Sequence, residues 1–286
     1  MAVLFVNNNG TVLPNDAPTI HPGNRGHLYG DGVFESIRIM SGKPLNLENH
    51  IKRMLDGARI IKMRTPSYYS TEFFRDKISE LIQKSEIEEG GRCRLSLDRV
   101  SGGAYLPDSN ESTFYIEVYP YDVNHFELNA KGLEVDIYQD IKLQKNFLSN
   151  YKTKAGLTYV MAALSAKDKG LDDVFLSSDR GNILETSSCN VFVVSNGVLY
   201  TPGLDEGCLA GTMRMQVINL AISHGIKVYE CAILPQNLLA ADEIFITNAI
   251  RGINWIGGYR TKRFFNNMSR KLIVLLNEHW EKELGI

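Results

Sequence analysis

Asn150-Tyr151-Lys152-Thr153-Lys154 and, further along, Ile183-Leu184-Glu185-Thr186-Ser187-Ser188-Cys189-Asn190-Val191-Phe192 are the stretches on which the fold turns. The first places a lysine near a strand. The second places a glutamate in a turn of small hydrogen-bonding residues, directly before the apolar run Val191-Phe192-Val193-Val194. Most lysines are solvated and serve solubility, so Lys152 draws its interest only from the rest of the chain.

Working outward, Asn7-Asn8-Asn9-Gly10 between Val3–Val6 and Thr11–Leu13 reads as a β-hairpin. Val33–Ile39 reads as a strand, and Ile51, Met54, Leu55, Ala58 and Ile61 recur at helical spacing, as do Phe73, Phe74, Ile78, Leu81 and Ile82. Strands are expected at Arg92–Val100 and Thr113–Val118. The polar, proline-bearing run from Tyr119 to His125 marks a boundary. Beyond it, short β runs at 133–138, 173–177, 190–194, 198–201, 227–231 and 243–247 are separated in part by helices at 156–169, 212–224 and 268–283.

The 286 residues favour two domains, and 44% hydrophobic with 22% charged residues is the composition of a globular chain with ample core. With 31 basic against 33 acidic residues, nothing favours a nucleic acid or an anionic membrane, and small molecules are the expected partners. Cys93, Cys189, Cys208 and Cys231 lack the density and spacing of a disulfide framework, the start lacks a signal-peptide pattern, and no apolar run reaches transmembrane length. A cytoplasmic protein with reduced thiols is expected.

Leu209-Ala210-Gly211-Thr212-Met213-Arg214 is a glycine turn opening an amphipathic helix, a place where free N–H groups and the helix dipole attract phosphate. Arg53 could fork onto phosphate oxygens or simply face solvent, and His50 has the same ambiguity. Gly30-Asp31-Gly32-Val33-Phe34-Glu35 lacks the third glycine of a dinucleotide fingerprint and leads into a strand. No P-loop and no metal-binding histidine spacing occurs. A lysine near a strand and a later carboxylate are the groups that a pyridoxal 5'-phosphate (PLP) enzyme sets at opposite ends of its cofactor.

Taken in order, His27–Arg38, His50-Ile51-Lys52-Arg53-Met54, Tyr151-Lys152-Thr153, Leu184–Phe192, Tyr200-Thr201-Pro202, Leu209–Arg214 and Ala241–Ala249 resemble the class IV aminotransferases. This fold-type IV group contains branched-chain aminotransferases, D-amino acid aminotransferases and aminodeoxychorismate lyases. The resemblance implies an α+β fold: a small N-terminal α/β domain (1–120), a linker (121–127) and a larger PLP-binding domain (128–286) with a β-barrel-like core and flanking helices. It also implies a homodimer whose active site lies near the domain interface and the partner chain.

By the same resemblance Lys152 is the Schiff-base lysine, Glu185 pairs with the pyridine nitrogen, Arg53 binds phosphate and Tyr159 bonds the phenolic oxygen. Ser188 joins the cofactor site, and main-chain groups at Thr212, Met213, Asn248 and Ala249 complete the phosphate cup. Lys154-Ala155-Gly156 is similar to the branched-chain enzymes' lysine motif and makes Lys154 a rival, but alignment from Lys152 reaches Gly170 and Glu185 without gaps. Tyr29, Arg38, Arg92, Arg94 and Arg99 are candidates for the substrate carboxylate, Arg94 first.

Val33–Arg38 is similar to the aminotransferases, whereas Met213-Arg214, Tyr200–Asp205, Asn248-Ala249 and Arg99–Gly103 are more similar to the lyases. Amino-group transfer between an amino acid and a 2-oxo acid is the leading expectation. The alternative is release of pyruvate and 4-aminobenzoate from aminodeoxychorismate, with a non-enzymatic PLP-binding protein third.

Overall fold

A computed structural model describes residues 4–285, so Val3, expected at the head of the first hairpin, lies outside the described residues. The chain forms two compact units: Met1–His125 with Tyr151–Gly156, and Phe126–Asn150 with Leu157–Ile286. The break at His125 falls in the polar run expected as linker. Residues 151–156 return to the first unit instead of staying in a contiguous second half.

The first unit holds strands β1 (Phe5–Asn8), β2 (Thr11–Pro14), β3 (Gly32–Met40), β4 (Lys43–Pro44), β5 (Gly91–Arg99) and β6 (Ser112–Pro120). Its helices are α1 (Arg25–Tyr29), α2 (Leu47–Ile60) and α3 (Thr71–Lys84). The sheet runs β2-β1-β6-β5-β3-β4, antiparallel throughout. Strand alternation gives it two unlike faces. Val33, Ile37 and Ile39 of β3, Leu95 and Leu97 of β5, and Ile116 and Val118 of β6 pack against Ile51, Met54 and Ala58 of α2 and Phe74, Ile78 and Leu81 of α3. Each such side chain removed from water contributes roughly 1.5–3 kcal/mol before entropy is counted. Helix α3 starts where Ser70 accepts a bond from the Phe73 N–H at 3.1 Å.

Residues 151–156 join this sheet through backbone bonds. Phe34 N–H donates to Lys152 O at 3.0 Å, Lys154 N–H donates to Gly32 O at 2.9 Å, and Val33 and Thr153 form an antiparallel bridge. The lysine-bearing segment is thereby bridged to the start of β3.

The second unit contains β7 (Leu133–Ile137), β8 (Asp173–Ser177), β9 (Ile183–Thr186), β10 (Asn190–Ser195), β11 (Val198–Thr201), β12 (Val228–Glu230), β13 (Glu243–Asn248), β14 (Gly252–Tyr259) and β15 (Lys262–Arg263). Helices α4 (Leu157–Asp168), α5 (Thr212–Ser223), α6 (Pro235–Ala240) and α7 (Asn267–Leu284) accompany them. Pairing passes from β10 through β13, β14, β7, β8 and β9, and the β9–β10 pair closes the ring. The result is a six-stranded barrel, with β7 parallel to both β14 and β8 and the other ring pairs antiparallel. Val135, Ile137, Phe175, Ile183, Val191, Val193, Ile244, Ile246 and Ile256 belong to one buried cluster, as a small barrel filled by its own side chains requires. Helix α4 lays Ala162 and Ala166 on Val174 and Leu176 of β8, and Phe192 and Phe245 stack at 4.9 Å on neighbouring strands.

Two ring strands differ from the sequence expectation. Glu185, expected in a turn, lies in β9, and β14 runs through Gly252-Ile253-Asn254-Trp255-Ile256-Gly257-Gly258-Tyr259, where no strand was anticipated. Three glycines mask the alternation of β14. They are needed there: at Gly252 a Cβ would stand 2.6 Å from the Phe126 ring, and at Gly257 the Gly132 backbone is 2.9 Å away.

Candidate active site

In the first unit Lys152 lies beside Phe34, its Nζ 4.4 Å from the ring centroid, and the two residues are tied by the Phe34 N–H bond already described. Lys154 is differently engaged. Its Nζ stands 2.5 Å from Oδ1 of Asp98, a fully buried carboxylate that also accepts from Asn24 Nδ2 at 3.1 Å. Room for that carboxylate comes from two glycines, since a Cβ at Gly26 would be 2.6 Å from Asp98 Cγ and one at Gly32 would be 2.5 Å from Oδ1.

Glu35 is the one charged residue on the apolar face of β3, and composition alone concealed its role. Its Oε1 accepts from Arg53 Nε at 2.8 Å, its Oε2 is bonded by Arg53 Nη2, and His50 Nδ1 stands 2.6 Å from Oε2. Burial by itself would raise this carboxyl, but the Arg53 charge and the bonds from His50 and Arg53 outweigh it and hold the pKa at about 2. Burial pushes the His50 imidazole down, and the Arg53 and Lys152 charges add to the depression against the pull of Glu35. Arg53 therefore is not the solvent-facing arginine of an amphipathic helix. Its guanidinium is anchored on Glu35.

The opposite face of the same sheet carries Phe34, Ser36 and Arg38 of β3 beside Ser96, Arg94 and Arg92 of β5, and these beside Tyr115, Glu117 and Tyr119 of β6. Arg94 lies 3.9 Å over the Phe34 ring and 4.0 Å from Glu117 Oε2, with its side chain 42% exposed. Arg38 is not comparable. It is buried, bonds the Val123 carbonyl and stacks 4.2 Å over Tyr121, so it fastens the 121–125 run. Arg99 is likewise internal, bonding Asp31 at 2.8 Å and the Ile61 carbonyl at 2.6 Å. Tyr29 is half-exposed, with Arg25 over its ring at 4.9 Å and Tyr105 at 5.6 Å.

In the second unit Glu185 is buried and held at both oxygens. Tyr159 donates its hydroxyl to Oε1 at 2.7 Å, and Leu209 N–H donates to Oε2 at 2.8 Å. Tyr159, expected at a phenolic oxygen of the cofactor, thus spends its hydroxyl on Glu185, because α4 sets its ring against β8 next to β9. Burial and the neighbouring Glu185 push the Tyr159 pKa far up, so the phenol stays a donor.

Asn190 pairs across strands with Glu185 on one side and Thr247 on the other. Its Nδ2 donates to Leu209 O at 2.8 Å, and its Oδ1 lies where a Cβ on Gly211 would have to go. The first turn of α5, with Thr212 and Met213 both buried, consequently begins directly over Asn190. Thr247 presents a buried hydroxyl with no protein partner. Asn248 folds the turn that contains Ala249, accepting from Ile250 N–H at 3.1 Å and Arg251 N–H at 2.8 Å, while Arg251 Nη2 reaches Ser188 Oγ at 3.4 Å. Asn248 Nδ2 also donates to Cys189 Sγ at 3.1 Å. Asn190, Leu209 and Thr247 went unrecognised in sequence because their roles depend on strand pairing and on a backbone N–H.

The barrel, the bridged lysine segment and the doubly held glutamate define a fold-type IV enzyme. The amino-transferase class IV family model matches residues 32–256, and the chain belongs to that family. It is 29% identical over 248 residues to a putative branched-chain-amino-acid aminotransferase of Methanocaldococcus jannaschii, covering 84% of this chain and 82% of that protein. It is 23% identical over 248 residues to an aminodeoxychorismate lyase of Vibrio harveyi, covering 85% and 89%. An aminotransferase from Brucella abortus, solved bound to the co-factor PLP, superposes with a TM-score of 0.83 at 22% identity, covering 98% of both chains.

Proposed function

We propose that this enzyme uses PLP to move an amino group between an amino acid, of branched-chain or D-amino acid type, and a 2-oxo acid. The observation that carries the reading is the Glu185 carboxylate, buried and clamped by two donors. A carboxylate accepts up to about four hydrogen bonds, so it can hold both donors and a pyridinium N–H as well. The donor set for a phosphate fits equally: the first turn of α5 brought close by Gly211, and the buried hydroxyl of Thr247. Bound PLP supplies an electrophilic carbonyl for the amino group and an electron sink for the charge left when the α-proton departs.

Within this proposal Lys152 carries the cofactor and afterwards moves the α-proton, a general-base role worth roughly 10²–10⁴ in rate. Glu185 keeps the proton on the pyridine nitrogen. Main-chain groups at Thr212, Met213, Asn248 and Ala249, with Ser188 nearby, hold the phosphate, and Arg53 adds its charge from its anchorage on Glu35. Arg94, half-exposed over Phe34, takes the substrate carboxylate, with Tyr29 beside the substrate. The Val33–Arg38 strand favours transamination, because it is similar to the aminotransferases and Glu35 is built into the fold through Arg53 and His50.

Lyase chemistry is the second reading, favoured by the segments Met213-Arg214, Tyr200–Asp205, Asn248-Ala249 and Arg99–Gly103, which are more similar to the lyases. We further assign the enzyme to the cytoplasm, a reading supported by its four free cysteines. We also read it as a homodimer, supported by the exposed apolar stripe Leu157, Val160, Met161 and Leu164 along α4. An absorbance screen of the holoenzyme against L- and D-amino acids, with aminodeoxychorismate included, tests the reaction. Transamination predicts conversion of the bound cofactor to its pyridoxamine form by at least one amino acid. Pyruvate release from aminodeoxychorismate without any such conversion would establish the lyase instead.

A further inference from the structure

Both donors on Glu185 are themselves immobilised. Tyr159 packs against the buried group of Tyr138, Ala162, Val174 and Leu176. The Cys208 carbonyl, in the same peptide plane as the Leu209 N–H, accepts from Asn150 Nδ2 at 2.7 Å, and the Leu209 carbonyl accepts from Asn190 Nδ2 at 2.8 Å, so the plane that carries the N–H is held from both sides. The carboxylate is therefore aimed by parts from α4 and from the α5 entry, and it does not depend on its own rotamer alone.

A phenol donating to a carboxylate in a dry site stabilises the ionised form and lowers its affinity for a proton. When a carboxylate and a pyridine nitrogen share a proton, the proton rests with whichever is the stronger base. Lowering the basicity of Glu185 leaves the proton on the nitrogen. We propose that Tyr159 is a positioning residue that acts through Glu185, fixing its carboxylate and biasing the shared proton toward the cofactor's pyridine nitrogen. The inference rests on the assignment of Glu185 to that nitrogen.

The test uses holoenzyme loaded with PLP labelled with ¹⁵N in the ring, and reads the nitrogen chemical shift and the PLP dissociation constant. Tyr159→Phe should move the signal from the pyridinium position toward that of neutral pyridine and raise the dissociation constant roughly tenfold, the scale of one lost charge-assisted hydrogen bond. Glu185→Gln is the benchmark and should move the signal further. If Glu185→Gln moves it and folded Tyr159→Phe changes neither signal nor affinity, the inference is overturned while the Glu185 assignment stands. If Glu185→Gln leaves the signal in place, both fall. Should Tyr159→Phe fail to fold, 3-fluorotyrosine at position 159 keeps the packing and strengthens the donor. A shift toward the pyridinium position then supports the inference, and an unmoved signal overturns it.

Discussion

At the residue scale, two lysines two positions apart have opposite environments. Lys154 is ion-paired with buried Asp98, whereas Lys152 lies over an aromatic ring. Borohydride reduction of the holoenzyme followed by peptide mapping is expected to place the cofactor on Lys152. Lys152→Ala should lose that linkage, while Lys154→Met should keep it but lose about 3–5 kcal/mol of stability by leaving Asp98 buried and uncompensated. Glu35 gives a pH signature. Its folded pKa, about 2, lies below the ordinary 4.5, so its stabilisation is complete above the ordinary value and disappears as pH falls toward 2. Glu35→Gln should cost on the order of 3 kcal/mol near neutral pH in urea melts, and the gap to the parent should close between about pH 4.5 and 2. The alternation Val33, Glu35, Ile37, Ile39 already displayed a charge on an apolar face. Which groups neutralise it was not legible, because His50 and Arg53 reach it only once α2 is laid on the sheet.

At the element scale, long periodic segments were readable and short glycine-bearing ones were not. Helices α2 and α3 and strands β3, β5 and β6 follow from spacing alone. Strand β9 was hidden by its shortness and by the small polar run Ser187–Asn190 that follows it, and β14 among glycines, yet these two help close the barrel and β9 carries Glu185 to its place. The start of α5 depends on such a close approach. Gly211 has ordinary helical-entry backbone angles, so only space restricts it, and the obstacle is Asn190 Oδ1. Gly211→Ala should destabilise the protein by about 1–3 kcal/mol through overpacking. It should also reduce the preference for PLP over unphosphorylated pyridoxal, measured as the ratio of the two dissociation constants, because the α5 turn is pushed away from the phosphate.

At the scale of the whole molecule, the proposed homodimer rests on the exposed apolar stripe Leu157, Val160, Met161 and Leu164 of α4. Leu164→Glu is expected to shift the protein from dimer to monomer in sedimentation velocity, with its circular dichroism unchanged. A parent that sediments as a monomer would remove the homodimer from the proposal. The sequence by itself determined the family and the cofactor class, and it nominated the pair Lys152 and Glu185, because these are written as local motifs in a fixed order. Tertiary structure alone decided that residues 151–156 belong with the first unit, that Arg53 is anchored on Glu35, that Arg38 is internal and that the Tyr159 hydroxyl donates to Glu185. Each of these is a hydrogen bond or ion pair between groups distant in sequence, and partners of that kind are chosen by strand register and helix packing. The same division holds for Lys152 and Glu185: the motifs name them, but a backbone bridge to β3 fixes the lysine segment and a phenol with a backbone N–H aims the carboxylate.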